Sequence, residues 1–163
     1  MDKIIRAKTL DGVQWITGRP LYFDKGRRCG IFFDCDFSTD EKSFKGKLTE
    51  INPETICRPI GLLDRYEQDI FTNDLFYHKD LNEVLMAVWE PTEGRFEFDA
   101  YRLCDDNSVE VYKTYSFADI SGGSIDKKIN AVPLASLYDN RQNPILEALQ
   151  NCERIYGAKN KEE

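Results

Sequence analysis

The sequence predicts a mainly β protein built from antiparallel strands, with a small α component in one helix near the C-terminus. Three observations carry that expectation. Short apolar runs alternate with polar residues at period two and are separated by Asp11-Gly12, Lys25-Gly26 and Glu93-Gly94, the pattern of half-buried strands joined by tight turns. Ten Phe and eight Tyr enrich the chain in side chains that suit a pleated, half-covered surface. One stretch alone has apolar residues at helical spacing between start and stop signals.

Taken in order, residues 4–8 form a first strand, Leu10-Asp11-Gly12 turns the chain, and residues 13–17 alternate before Gly18, which gives a first hairpin. A second strand-turn-strand unit has Leu21-Tyr22-Phe23 and residues 29–33 around the turn Asp24-Lys25-Gly26-Arg27. From 34 to 47 charged residues dominate, so an exposed loop, inserted between strands, is expected. Residues 55–60 should be extended, with Pro59 confining them to a sheet edge because it lacks an N–H. Residues 84–89, the turn 91–94 and the alternating stretch 95–100 make the clearest hairpin. Further strands at 109–112 and 132–138 complete a three- or four-stranded meander, with a loop at 121–124. Asn143 as N-cap, Pro144 in the first turn and Gly157 as stop then bound the helix, and 158–163 form a charged tail. The domain organisation expected is an N-terminal β-hairpin region over 1–50 and a second region over 51–163, or one continuous domain over 1–157.

Composition excludes several classes. At 163 residues with 41% hydrophobic content, the chain can bury a core without staples. Its net charge of −7 disfavours a phosphate backbone, whose affinity comes from Lys and Arg. No run approaches the ~20 apolar residues of a membrane span, and the first residues lack the apolar core of a signal peptide, so a cytoplasmic protein is expected. Five cysteines with no CxxC fit neither a disulfide framework nor structural zinc, and read as reduced thiols.

The stretch 51–76 holds the most specific local pattern. Pro53-Glu54-Thr55-Ile56, Gly61-Leu62-Leu63-Asp64 and Ile70-Phe71-Thr72-Asn73-Asp74-Leu75, together with Ile5-Arg6-Ala7-Lys8, Trp15-Ile16-Thr17-Gly18, Ser136-Leu137-Tyr138-Asp139-Asn140 and Asn143-Pro144-Ile145-Leu146, resemble the motifs of the YopX-like proteins of bacteriophages and prophages. The resemblance touches both ends and the middle of the chain. It implies an SH3-like barrel portion, homo-oligomerisation, a phage or prophage origin in a bacterial host cell, and no established biochemical activity. Tyr66-Glu67 stands where that family has Asn-Gly, and Thr72-Asn73 where it has Glu-Gly. Since Tyr and Glu adopt positive φ at a cost, a longer loop or a helical turn is expected at 64–69.

The candidate sites divide into structural and functional readings. Asp64 and Asp74 could be paired carboxylates, yet an Asp after a strand commonly accepts hydrogen bonds from the next backbone N–H groups, so Gly61, Asp64, Asn73 and Asp74 are expected to fasten turns. Asp34-Cys35-Asp36 lacks the further oxygen ligands of a cation site. His78, the only histidine, has no neighbouring ligand or triad partner and suits a surface or strand end. Cys29 suits a buried strand, and Trp15 and Trp89 suit the core. Arg19, Lys25, Arg27 and Arg28 with Phe23 form a basic, aromatic cluster that could stack bases. The helix face of Ile145, Leu146, Leu149, Ile155 and Tyr156 can pack on its own sheet or on another subunit. The function expected is that of a non-enzymatic, self-assembling protein-interaction module with no cofactor and an unknown protein partner; nucleic-acid binding through residues 19–28 is the alternative.

Overall fold

The computed structural model describes residues 4–37, 44–123, 127–139 and 142–157, with the side chains of 33–37 and 44–46 outside that description. The chain divides into two compact units, Met1–Pro59 and Ile60–Glu163. The sequence expectation set the boundary after residue 50. It falls nine residues later because 51–57 belong to the first unit's backbone: Ile51 pairs with Cys29 and Thr9, and Cys57 bridges to Arg6.

The first unit is an antiparallel sheet in the order β1 (Ile5–Lys8), β2 (Trp15–Phe23), β3 (Arg28–Phe37) and β4 (Phe44–Ile51), followed by a 3-10 turn, Pro53–Thr55. β2 is continuous, where the sequence suggested a break at Gly18. Its first half pairs with β1 and its second with β3. At the handover a Cβ on Gly18 would fall on the Phe32 carbonyl oxygen and the Ile31 Cγ2, so only glycine lets the two backbones meet there. Ile5, Ala7, Cys29, Ile31 and Ile51 close a small apolar core. Residues 34–37 and 44–47, expected as loop, are strand. Charge density hid the period-two alternation of Phe33, Cys35 and Phe37 with Asp34 and Asp36. Thr55, expected to open an extended run over 55–60, instead ends a 3-10 turn over Pro53–Thr55, because the Asn52 side chain caps Glu54 N–H at 3.0 Å.

The second unit is layered. A five-stranded sheet runs in the order β10 (Val109–Ser116), β9 (Arg95–Leu103), β8 (Glu83–Glu90), β7 (Asp74–His78) and β11 (Ala131–Ser136). One face packs against the hairpin of β5 (Pro59–Leu63) and β6 (Asp69–Phe71) and a short helix, α1 (Phe117–Ser121), around Leu62, Ile70, Phe76, Phe98 and Ile120. The other face receives α2 (Pro144–Tyr156), whose Leu149 and Cys152 meet Leu75, Tyr77 and Val84. Asn143 Oδ1 accepts the Leu146 N–H at 3.1 Å, and Gly157 ends α2 at φ 61°. α1 was missed in the sequence because its capping box, Ser116 with Asp119, opens a single turn of helix ended by Gly122.

The mainly antiparallel β architecture with a C-terminal helix is therefore observed, and the SH3-like closure is not. Between β1 and the segment that ends β4 and follows it, isolated bridges join Thr9 to Ile51 and Arg6 to Cys57, and among the described residues no continuous ladder closes the sheet. In the second unit both faces are covered by other elements, so the sheet has no need to curl on itself. Among the described residues no helix is long and apolar enough to cross a membrane. The tail at 158–163 lies outside the described residues.

Candidate functional site

The hairpin register sorts the β2–β3–β4 side chains onto two faces. Arg19 opposes Phe32, which opposes Leu48; Leu21 opposes Gly30, which opposes Glu50; Phe23 opposes Arg28. These rows share the side of the sheet away from Ile31 and Cys29, since directly opposed residues point the same way. On that outer face Leu21 is 41% and Leu48 46% exposed, and Phe23 and Phe32 are half-buried. Gly30 makes the face flat at its centre: Leu48 Cδ1 comes within 2.7 Å of where a Gly30 Cβ would stand, so the leucine lies across the strand.

Basic groups frame this apolar strip. Arg28 Nε donates to Glu50 Oε1 at 2.6 Å, its Nη2 pairs with the other carboxylate oxygen, and the guanidinium lies 4.9 Å from the Phe23 ring centroid. The fork geometry and the ring hold Arg28 in place, and its hydrogen bonds keep the Glu50 carboxyl below the ordinary range. Arg19, Lys25 and Arg27 are exposed. Lys25 sits in the left-handed region with Asp24, in a turn closed by Gly26 N–H to Phe23 O and Arg27 N–H to Asp24 O, both 3.1 Å. Thus Arg19, Phe23 and Arg28 lie on one face, while Lys25 and Arg27 project at its tip. The sequence singled out the charges and missed Leu21 and Leu48. The signal that could have found them was parity, counted outward from the turn at 24–27.

In the stretch 51–76 the two candidate carboxylates bind backbone N–H groups. Asp64, buried, accepts the N–H groups of Tyr66 at 2.7 Å and Gln68 at 3.0 Å through Oδ1, while its own N–H reaches Gln68 O. Glu67 adopts φ 65°. The connection is a tight turn, where a longer loop or a helical turn was expected, because two hydrogen bonds to one carboxylate offset the cost of a left-handed Glu. Asp74 Oδ2 accepts the Phe71 N–H at 3.0 Å around Asn73, φ 65°. Asn73 itself donates to Ala87 O and accepts from Leu137 N–H, which ties the turn to two strands. Gly61 lies inside β5 at φ 85° with open space at its Cβ.

His78 ends β7 and is buried, not on the surface; its Nδ1 accepts the Leu81 N–H at 3.3 Å, and burial lowers its pKa against the opposing pull of Asp80 and Glu83. Cys29, Cys57 and Cys152 are buried thiols and Cys104 is half-buried; burial pushes the Cys152 thiol up to about 11. The side chains of Asp34, Cys35 and Asp36 lie outside the described residues, and among those described no set of three or more His, Cys, Asp or Glu is placed to hold a metal ion. Neither tryptophan is core as expected. Trp15 is half-buried under the Arg6 guanidinium, 4.7 Å from its ring centroid. Trp89 is 44% exposed and meets Phe96 edge-on at 4.9 Å.

The helix face is mostly consumed by its own unit. Leu149 is buried, Ile145 packs against the same cluster, and Tyr156 stacks on Tyr77. Leu146 is half-buried and Ile155 is exposed, so these two do not make a continuous apolar face.

No protein-family model, curated protein or solved structure matches the chain.

Proposed function

We propose that the chain is a non-enzymatic, self-assembling protein-interaction module whose recognition surface is the outer face of β2, β3 and β4. The observation that carries this is the exposed strip of Leu21 and Leu48 beside Phe23 and Phe32, framed by Arg19 and Arg28. Apolar anchors inside a polar and arginine-rich rim are the composition of a protein interface core. Two further observations support a non-catalytic role: the Asp64 and Asp74 carboxylates are spent on backbone N–H groups, and the His78 Nδ1 on the Leu81 N–H. A phage or prophage setting, in the cytoplasm of a bacterial host, rests on the family resemblance.

The test is the mass in solution of the wild-type chain against that of the Leu21→Glu/Leu48→Glu double variant. Assembly of the wild type that the double variant loses supports the module. A second reading, nucleic-acid binding, is favoured by one observation, the exposed Lys25 and Arg27 at the tip beside Phe23. It predicts low-salt binding of a labelled single strand that Lys25→Ala/Arg27→Ala abolishes.

A further inference from the structure

The charge of the chain is divided unevenly. Residues 1–59 carry eleven Lys and Arg against nine Asp and Glu, net +2, whereas residues 60–163 carry eleven against twenty, net −9. The division sharpens locally. The segment 19–28 holds Arg19, Lys25, Arg27 and Arg28 against Asp24, net +3, and Glu50 on the same face, bound to Arg28, brings the patch to net +2. The end of the β8–β9 hairpin, 90–97, holds Glu90, Glu93 and Glu97 against Arg95, net −2, and Arg95 is already bound to Glu97 at 2.7 Å and to Glu93 at 3.7 Å.

That hairpin end also presents an apolar anchor. Trp89 and Phe96 oppose one another across the hairpin, on the side that leads into the Phe98 and Leu85 core. Phe96 is packed against that core, and Trp89 stands outside it. An indole fixed by an edge-on ring in a short hairpin loses little freedom on contact, which is why tryptophan is enriched among residues that dominate interfaces.

We propose that the outer face of β2–β3–β4 receives the β8–β9 hairpin end of a second copy of the chain, with Trp89 laid on the Leu21 and Leu48 strip and Glu93, exposed at the hairpin turn, directed at the Arg19, Lys25 and Arg27 frame. The inference rests on the self-assembly reading and adds its geometry. The contact is heterologous: the face of one copy meets the hairpin of another. Opposite charge steers the encounter and sets its register, and salt weakens it.

The test uses two full-length variants, one with the face blocked, Leu21→Glu/Leu48→Glu, and one with the hairpin blocked, Trp89→Ser. Glu93→Lys, in an exposed turn, serves as the hairpin variant if Trp89→Ser lowers the melting temperature. Mass is measured by light scattering at low salt. Each variant alone is expected at the single-chain mass of 18.9 kDa, and an equimolar mixture at twice that mass, because one intact face and one intact hairpin remain between them. Wild-type assembly with no recovery in the mixture overturns the heterologous geometry and leaves the self-assembly reading standing. A wild type that stays single-chain at every concentration overturns both.

Discussion

Tyr77 of β7 and Tyr156 of α2 lie face to face, their ring centroids 4.4 Å apart and their planes 13° from parallel. This pair fastens the last turn of α2 to the five-stranded sheet, and it decides how the helix spends its apolar side chains. Stacked aromatics contribute beyond the area they bury. Tyr156→Ala is expected to cost about 1–3 kcal/mol in denaturant unfolding. Ile155→Ala, at the neighbouring exposed position, should stay within about 0.5 kcal/mol. Equal losses at the two positions would contradict the assignment of this face to the chain's own core.

Asp64 gives a second prediction. Asp64→Ala removes the buried carboxylate that accepts the N–H groups of Tyr66 and Gln68 and should destabilise the second unit by about 2–4 kcal/mol, a hydrogen bond to a charged group contributing about 1.5–3. Asp64→Asn keeps an oxygen acceptor at that place and should cost less than half as much. A catalytic carboxylate would show the opposite profile, with stability unchanged in both variants.

Gly18 tests the continuous β2 strand. Gly18→Ala places a methyl group on the Phe32 carbonyl and the Ile31 side chain, so the β1–β2 and β2–β3 ladders cannot both persist, at a cost of about 1–3 kcal/mol or more. At Gly12, φ 72° with open space at its Cβ, the same substitution costs only backbone conformation, about 1 kcal/mol. Thermal unfolding of the two variants side by side measures the difference.

His78 links stability to pH. Burial lowers its pKa in the folded chain below the ordinary 6.5, with Asp80, Glu83 and a hydrogen bond to the Ile120 backbone pulling the other way. The unfolded chain therefore takes up the proton first as pH falls. Stability from the neutral ring is fully present above pH 6.5 and is lost as pH drops from there through the folded pKa. The difference in unfolding free energy between wild type and His78→Gln should be flat above pH 7 and should shift against the wild type between pH 6.5 and 5. A difference that is constant from pH 7.5 to 5 would contradict the assignment.

Much of the fold was legible in local chemistry. The β8–β9 hairpin follows from alternation around Pro91-Thr92-Glu93-Gly94, and α2 from Asn143, Pro144 and Gly157, since each signal acts within a few residues. What was not legible depended on distant partners. Asp34 and Asp36 looked like loop because composition outweighed periodicity, yet their backbone lies in β3 beside β4. Glu67 looked unfit for a left-handed turn until the Asp64 carboxylate was placed against it. Trp89 and Trp15 looked like core because size favours burial, while their exposure depends on which strand ends cover them. For the candidate site, the charges at 19–28 were visible in the sequence, whereas the Leu21 and Leu48 strip needs the register of three strands.

The most direct test of the self-assembling face is light scattering over a concentration series, with wild type and Leu21→Glu/Leu48→Glu compared at low salt and their melting temperatures checked to match. The account predicts a wild-type mass that rises above the single-chain 18.9 kDa as concentration increases, and a double variant that stays at it. A wild type that remains single-chain throughout, or a double variant that assembles as the wild type does, would contradict it.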